Sequence, residues 1–226
     1  MPAVEPGRCG EHWDDCPRLA EGDRFDFACA GCGDCCRQRR DLVLSGYDLY
    51  RIARRLSLPP RIVAAAFCKS YLAPESCLPA LRLTPDPKTG NCRFFEGSAC
   101  TIHAARPLAC ALYPLGQSID TVTAQTEYYV QTPLCGARAG EARTLQDYLQ
   151  DSAVLDRVGV DARWAIVCTQ LSHRLQAAGG TDNPRFSAAV RRVERALYYD
   201  YELGDDFYPQ FCQNIEILMP LLDRML

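Results

Sequence analysis

The chain has 226 residues, 14 of them cysteine, with 25 basic and 28 acidic side chains and a formal net charge of −3. Nucleic-acid binding is not expected, because the chain lacks the basic excess that neutralises phosphates. The sequence shows neither a secretory N-terminal segment nor a run of about 18 uncharged apolar residues, so we expect no membrane span and a cytoplasmic protein.

The N-terminal region, residues 1–24, has neither helical nor strand periodicity, and we expect a loosely ordered arm there. The cysteine-rich run after it contains Gly31 and Gly33, which permit the positive-φ turns that aim neighbouring thiols inward. We interpret this run as a loop that opens a metal-binding domain over residues 25–140.

Two helices are predicted next. Ser45 is a suitable N-cap for the first helix, which ends before Pro59 and Pro60. The second helix begins at these prolines, which fit a first turn, and runs to about Leu72.

Short strands are predicted for the rest of this half, because apolar and polar residues alternate between turn-forming segments. A strand from Ala80 to Pro85 and a turn over residues 86–91 predict a hairpin into residues 92–95. The other predicted elements are a strand at Cys100–Ile102, a short helix over Ala104–Leu112 interrupted at Pro107, and a strand over Thr121–Val130.

Residues 141–226 carry three helical apolar patterns and no strand pattern. The three predicted faces are Trp164, Val167, Leu171 and Leu175; Phe186, Val190, Val193 and Leu197; and Phe211, Ile215, Leu218 and Leu222. We therefore predict an α+β fold, in which a small cysteine-rich core with a short antiparallel sheet precedes a helical C-terminal half packed on the same unit.

Metal ligation is the best explanation of the cysteines, because a reducing compartment disfavours a disulfide scaffold and thiolates suit zinc, copper(I) and iron–sulfur clusters. Cys29, Cys32 and Cys35 have the C-x2-C-x2-C spacing that grips a cubane cluster in bacterial ferredoxins. Cys36 follows directly, and in an extended chain its side chain would point to the opposite face, towards a second site.

Four further thiols belong to the same hypothesis, namely Cys92, Cys100, Cys110 and Cys135. They lie at the ends of the predicted hairpin, in the short helix and after the last strand. Eight thiols divide into two sites of four thiolates each. Four is the usual number of ligands for a closed zinc site or for a cubane cluster. Which thiols share a site is left open.

Several ordered motifs together resemble the CxxCxxCC (YkgJ-like) family. The motifs are Cys29-x2-Cys32-x2-Cys35-Cys36, Gly90-x-Cys92-x-Phe94, Cys100-x-Ile102 and Arg106-Pro107-x2-Cys110-x2-Tyr113-Pro114. The resemblance implies a zinc- or iron-chelating domain with these eight cysteines as ligands. Some members of that family are described as flagellin lysine N-methylases that use a cluster and S-adenosylmethionine. The sequence departs from the family pattern at His103 and Ala111, so a shared substrate contact is not implied.

The remaining candidates have two interpretations each. Arg106 is a candidate cofactor-binding residue that donates hydrogen bonds to cluster sulfurs or an anionic substrate, or else forms a salt bridge. His103 is either a ligand or a surface histidine. Cys68, Cys77, Cys168 and Cys212 are expected to pack in the core, and Cys9, His12 and Cys16 to lie in loops or form a peripheral site.

The first functional hypothesis is a cysteine-ligated metalloprotein, in which an iron–sulfur cluster, 4Fe-4S in type, is favoured over Zn²⁺ and has a redox role. Three alternatives stay open. They are group transfer such as protein-lysine methylation with S-adenosylmethionine, a metal chelator or chaperone, and a thiol oxidoreductase using Cys32 and Cys35. The expected partners are the metal ion or cluster and a protein substrate or redox partner.

Overall fold

A computed structural model describes residues 16–27, 32–37, 42–132 and 143–226. Within these ranges it contains seven α-helices and ten short strands, all paired antiparallel. The strands are β1 (Arg18–Leu19), β2 (Arg24–Phe25), β3 (Val43–Leu44), β4 (Cys68–Ala73), β5 (Leu78–Leu83), β6 (Phe95–Glu96), β7 (Ala99–Cys100), β8 (Leu115–Ile119), β9 (Thr126–Val130) and β10 (Arg143–Thr144). The helices are α1 (Gly46–Leu56), α2 (Pro60–Phe67), α3 (Leu108–Leu112), α4 (Leu145–Asp151), α5 (Val158–Ala177), α6 (Phe186–Glu194) and α7 (Phe207–Met225). The predicted α+β class is confirmed.

The larger hydrophobic core lies between a three-stranded sheet, in the order β3-β5-β4, and the helices of the C-terminal half. The predicted apolar faces of these helices point into it. On α5, Val167, Leu171 and Leu175 are fully buried, and α7 buries Phe211 and Ile215 in the same core. No helix within the described ranges has the length and apolar character needed to cross a membrane.

The first turn of α1 is fixed by a capping box, which confirms the predicted Ser45 cap. The Ser45 hydroxyl accepts from the Asp48 N–H, and the Asp48 carboxylate accepts from the Ser45 N–H, both at 3.1 Å. Gly46 follows, where a Cβ would collide with the Leu197 carbonyl oxygen and the Trp164 ring. Leu197 belongs to a π-helical turn over Arg195–Tyr199 that continues α6. Glycine therefore allows α1 to dock closely on the helical half.

A smaller core lies under the second three-stranded sheet, β1-β9-β8, and is closed by α4. Strand β1 pairs with β9, and β2 pairs with β10 immediately before α4. The part of residues 1–24 that the structure describes therefore contributes strand residues, although its sequence shows no strand periodicity.

Two predicted elements differ in the structure. The second helix ends at Phe67 rather than near Leu72, because β4 pairs with β5 along six residues. The predicted hairpin between the strand at residues 80–85 and residues 92–95 is wrong. Strand β5 pairs with β4 and β3 instead, and only a single bridge joins Pro85 to Cys92.

The predicted strand over Thr121–Val130 is shorter, beginning at Thr126, and it pairs with β8, which the sequence did not reveal. The turn between them is built on Asp120, whose carboxylate accepts from the N–H groups of Val122 and Thr123. The predicted break at Pro107 is present, since a 3₁₀ turn over His103–Ala105 precedes it and α3 follows it.

Candidate metal centre

The described part of the cysteine run is a 3₁₀ turn over Asp34–Cys36 that Gly33 opens with φ +73°. A Cβ at Gly33 would collide with the Phe95 ring, so the turn lies directly against β6. The Arg37 guanidinium stacks over the same ring at 5.3 Å and lies 3.6 Å from the Asp34 carboxylate. Glycine is required here by both the backbone angle and the close approach.

Cys35 and Cys36 do not point to opposite faces, as an extended chain would make them do. In the 3₁₀ turn their side chains are hydrogen-bonded to each other, and both line one cavity. The two thiols lie together because the backbone makes a helical turn at this point, and the assignment of Cys36 to a second site stays a prediction.

The β6–β7 hairpin brings two more cysteines to this turn. The Cys92 N–H donates to the Cys36 carbonyl oxygen at 2.8 Å, which joins the segment before β6 to the turn. Cys100 is the partner of Phe95 across the hairpin. The Thr101 N–H, donating to the Phe94 carbonyl oxygen at 2.8 Å, extends the pairing.

Five cysteines line a single cavity of about 350 Å³. They are Cys35, Cys36, Cys92, Cys100 and Cys110, the last of which lies on α3. Apolar and aromatic side chains form much of the remaining wall, including Phe94 and Ile102 from the larger core and Phe27 and Tyr148 from the smaller one. The cavity therefore lies where the two cores meet.

Four of these thiols act on one another electrostatically. The pKa of Cys36 is raised, first by its hydrogen bond with Cys35, then by burial and by the nearby Cys92 and Cys100 thiols. The pKa values of Cys92 and Cys100 are raised mainly by burial, with Cys35 contributing to both. Clustered thiols resist ionisation in this way unless a cation offsets their combined charge.

The donor set fits a soft metal, because thiolate sulfur is the preferred ligand of iron–sulfur clusters and of structural zinc. Across the part of the chain that the structure describes, no three His, Cys, Asp or Glu side chains converge closely enough to hold one ion. The thiols instead surround a shared space. The cavity wall therefore offers several soft donors to a metal-containing group.

His103 and Arg106 lie on the same cavity wall. The Arg106 Nη1 is 3.3 Å from the His103 Nδ1, and the Arg106 backbone N–H donates to the His103 carbonyl oxygen. Burial lowers the pKa of His103, and the Arg106 charge lowers it further. Both effects disfavour the protonated form of His103, and the Arg106 charge also lowers the pKa of Cys100.

Residues 28–136 match the family model CxxCxxCC, described as a putative zinc- or iron-chelating domain. We refer to these matched residues below as the CxxCxxCC domain. The family resemblance seen in the sequence is thereby confirmed, and binding of zinc or iron is the property that the family description supports. No significant match was found among curated proteins or solved structures.

Three predicted ligands of the CxxCxxCC domain lie apart from the cavity wall or outside the described residues. Cys32 is half-buried beside Gly33 and does not line the cavity. Cys29 and Cys135 lie outside the described residues, as do Cys9 and His12. Cys16 is buried and disulfide-bonded, in contrast to the free thiols of Cys92 and Cys100.

A second, larger cavity of about 840 Å³ adjoins the CxxCxxCC domain, and its wall was not predicted. Cys35 lines both cavities. Trp164 and Tyr198 contribute aromatic rings to the wall of this cleft, which also includes Cys168, Asp34 and Arg37. The residues come from distant segments, so no local sequence pattern could reveal the cleft.

Proposed function

We propose that the CxxCxxCC domain binds an iron–sulfur cluster, with Zn²⁺ as the second candidate, and that the cluster has a redox role. The observation that carries this proposal is the set of four mutually interacting thiols, Cys35, Cys36, Cys92 and Cys100, around one cavity. Four thiolates are the ligand number of a cubane cluster and of a closed zinc site.

The C-x2-C-x2-C spacing of Cys29, Cys32 and Cys35 supports the cluster over the single ion. Zinc draws four sulfurs to about 2.3 Å from one point. Here five thiols line one cavity, and among the described residues no three donors converge on a single point. A bound cluster would supply one-electron chemistry, and the chain's own residues would hold and shield it.

The remaining cysteines of the motif extend the proposed ligand set. Cys110 lines the same cavity from α3. Together with Cys29, Cys32 and Cys135 it completes the eight thiols expected from the family resemblance, enough for two four-thiolate sites. Arg106 is proposed to donate hydrogen bonds to cluster sulfurs, because it lines this cavity with its charge beside the thiols.

A cytoplasmic location is part of the proposal. The described cysteines with free thiols include Cys36, Cys68, Cys77, Cys92, Cys100, Cys168 and Cys212. A reducing compartment preserves such thiols for metal ligation, whereas the disulfide at Cys16 opposes this location.

The test is metal analysis of protein purified without oxygen and without a metal-binding tag. We expect about four or eight irons and as many acid-labile sulfides per chain, with visible absorbance that dithionite bleaches. Cys92→Ser and Cys100→Ser should each lose most of this iron. Cys212→Ser, which changes a thiol on α7 away from the cavity, is the matched control. One or two zinc ions without sulfide would establish the second candidate, and metal-free protein would contradict both.

The cleft beside Cys35 favours a second function, an enzyme that acts on a molecule held there. Some members of the family that this sequence resembles are described as protein-lysine methylases, so S-adenosylmethionine is the compound to test first. A specific site would raise the melting temperature as the compound is added, by mass action. An unchanged melting temperature at millimolar concentrations would remove this candidate.

A further inference from the structure

Two side chains of α1 hold the segment that runs from Cys100 to Cys110. The Arg51 Nη2 donates to the Ala104 carbonyl oxygen at 2.7 Å. The Asp48 Oδ1 accepts from the Leu108 N–H at 3.0 Å. Leu108 is the first residue of α3, so this contact satisfies a free N-terminal donor of that helix. One helix therefore anchors both the turn after Cys100 and the helix that carries Cys110.

Asp48 is itself held rigidly, because it is 3% exposed and has partners on several sides. Its Oδ2 accepts from the Ser45 N–H, and its Oδ1 lies 2.8 Å from the Arg157 Nη1, a close ion pair rather than a well-aligned hydrogen bond. Arg157 is 1% exposed and forks onto Asp161 of α5 at 2.7 and 2.8 Å. The carboxylate thus has one available orientation, facing the N-terminus of α3.

We propose that Asp48 is a positioning residue for the metal centre. This inference rests on the proposed metal-binding function. Asp48 fixes the start of α3 and so fixes Cys110 relative to the thiols contributed by the 3₁₀ turn and the β6–β7 hairpin. Through Arg157 it also ties this placement to the first turn of α5, which belongs to the helical half. Metal affinity consequently depends on a contact that touches no metal ligand.

The test compares metal affinity in three variants with the full-length wild type. Asp48→Asn keeps the size of the side chain and removes its charge, and Arg157→Lys keeps a charge but loses the fork onto Asp161. Ser45→Ala removes the other half of the capping box and leaves Asp48 beside Leu108, so it controls for capping of α1. Affinity for cobalt(II) is measured by chelator competition and thiolate absorbance, and iron and sulfide are counted after reconstitution.

Asp48→Asn is expected to weaken cobalt(II) binding at least about tenfold, the usual effect of groups that orient ligands. Ser45→Ala is expected to bind like the wild type. Thermal unfolding of the metal-free forms identifies a temperature at which all are folded, and affinities are compared there. If Asp48→Asn does not fold, Arg157→Lys is decisive and should also bind more weakly.

The outcomes separate the two proposals. A wild-type chain that takes up no cobalt and no iron contradicts the proposed function itself. Wild-type affinity in the folded Asp48 and Arg157 variants overturns the positioning role and leaves the metal site standing. An equal loss of affinity in Ser45→Ala also overturns it, because capping of α1 would then account for the effect.

Discussion

At the scale of single residues, the described cysteines fall into two environments. Cys36, Cys92 and Cys100 lie within electrostatic reach of one another around the cavity. Cys68 and Cys168 are isolated and pack against the larger core, as the sequence predicts for them. Burial alone raises the pKa of each of these two thiols to about 12. Thiols of the second kind are poor nucleophiles at neutral pH, and they differ from the cavity thiols in having no neighbouring thiol that raises their pKa.

Alkylation rates should reveal this difference. At pH 8 the thiolate fraction of Cys68 and Cys168 is on the order of 1000-fold below that of an ordinary thiol with a pKa near 9. We expect iodoacetamide to modify both residues far more slowly in the native protein than in urea, by peptide mass spectrometry. Because the folded pKa is raised, these thiols stabilise the fold below pH 9, and that stability is lost as pH rises from about 9 to about 12. Rapid native alkylation of either residue would contradict the assignment.

Gly33 offers a second prediction at this scale. Gly33→Ala adds a methyl group against the Phe95 ring at φ +73°. We expect a loss of about 1–3 kcal/mol in the free energy of unfolding and a lower metal content, since either the Phe95 ring or the turn bearing Cys35 and Cys36 must shift.

Gly90→Ala is the matched control for Gly33→Ala. Gly90 has almost the same φ, +74°, but a Cβ there meets no atom within 4 Å. Backbone strain alone should lower the free energy of unfolding of Gly90→Ala by about 1 kcal/mol, and its metal content should be unchanged. Equal metal loss in both variants would show that the Phe95 contact has no special part in the site.

At the scale of elements, the sequence predicts the features that depend only on neighbouring residues. The Ser45–Asp48 capping box and the break at Pro107 are both read from adjacent residues. Strand β4 follows α2 with a pattern that also fits a helix, and only its pairing with β5 decides the outcome. Strand β8 contains Gly116 and few β-branched residues, so its intrinsic β-propensity is weak. Its strand conformation depends on pairing with β9.

The sequence does not lead us to predict helix α4, although it contains a local capping pattern for that helix. Thr144 accepts from the Asp147 N–H at 3.1 Å, and the Thr-x-x-Asp pattern is a recognisable N-terminal cap. The helix has only seven residues, too few to show a clear apolar period.

Docking of α1 on the helical half gives the prediction at this scale. Alanine is about 1 kcal/mol better than glycine inside a helix, so propensity favours Gly46→Ala. The collision with the Leu197 carbonyl oxygen and the Trp164 ring opposes it and involves backbone, which cannot move aside cheaply. We expect the collision to dominate, with a net loss of about 2 kcal/mol or more in urea unfolding.

Gly159→Ala serves as the control for Gly46→Ala. Gly159 lies in the first turn of α5, and a Cβ there has open space around it. Propensity then acts alone, and the substitution should be neutral or stabilising by up to about 1 kcal/mol. A Gly46→Ala variant as stable as this one would refute the close approach of α1.

At the scale of the whole molecule, the cysteine cavity joins two hydrophobic cores. Phe94 and Ile102 belong to the larger core, whereas Phe27 and Tyr148 belong to the smaller one. The spacing of the cysteines predicts ligands, but it does not predict this position. Cys36 and Cys92 meet through a backbone hydrogen bond between distant segments, and such long-range contacts leave no periodic trace in a sequence.

Removal of the metal should therefore destabilise the segments that lie between the two hydrophobic cores. We expect anaerobic treatment with a chelator to lower the melting temperature and to increase amide hydrogen exchange most in the β6–β7 hairpin and α3. Strand β5 and α5, which lie in the larger core, should exchange as slowly as before. Uniform acceleration across the chain would mean that the metal supports the fold as a whole rather than this junction.

Trp164 is packed between Gly46, Tyr198 and Phe211 while its ring also borders the cleft. Indole emission depends strongly on nearby polarity and on quenching groups, so this side chain is a natural optical reporter. Its signal should respond both to release of α1 and to a molecule entering the cleft. A variant in which the other tryptophan of the chain, Trp13, is replaced by phenylalanine would allow binding to be followed by intrinsic fluorescence, without a label.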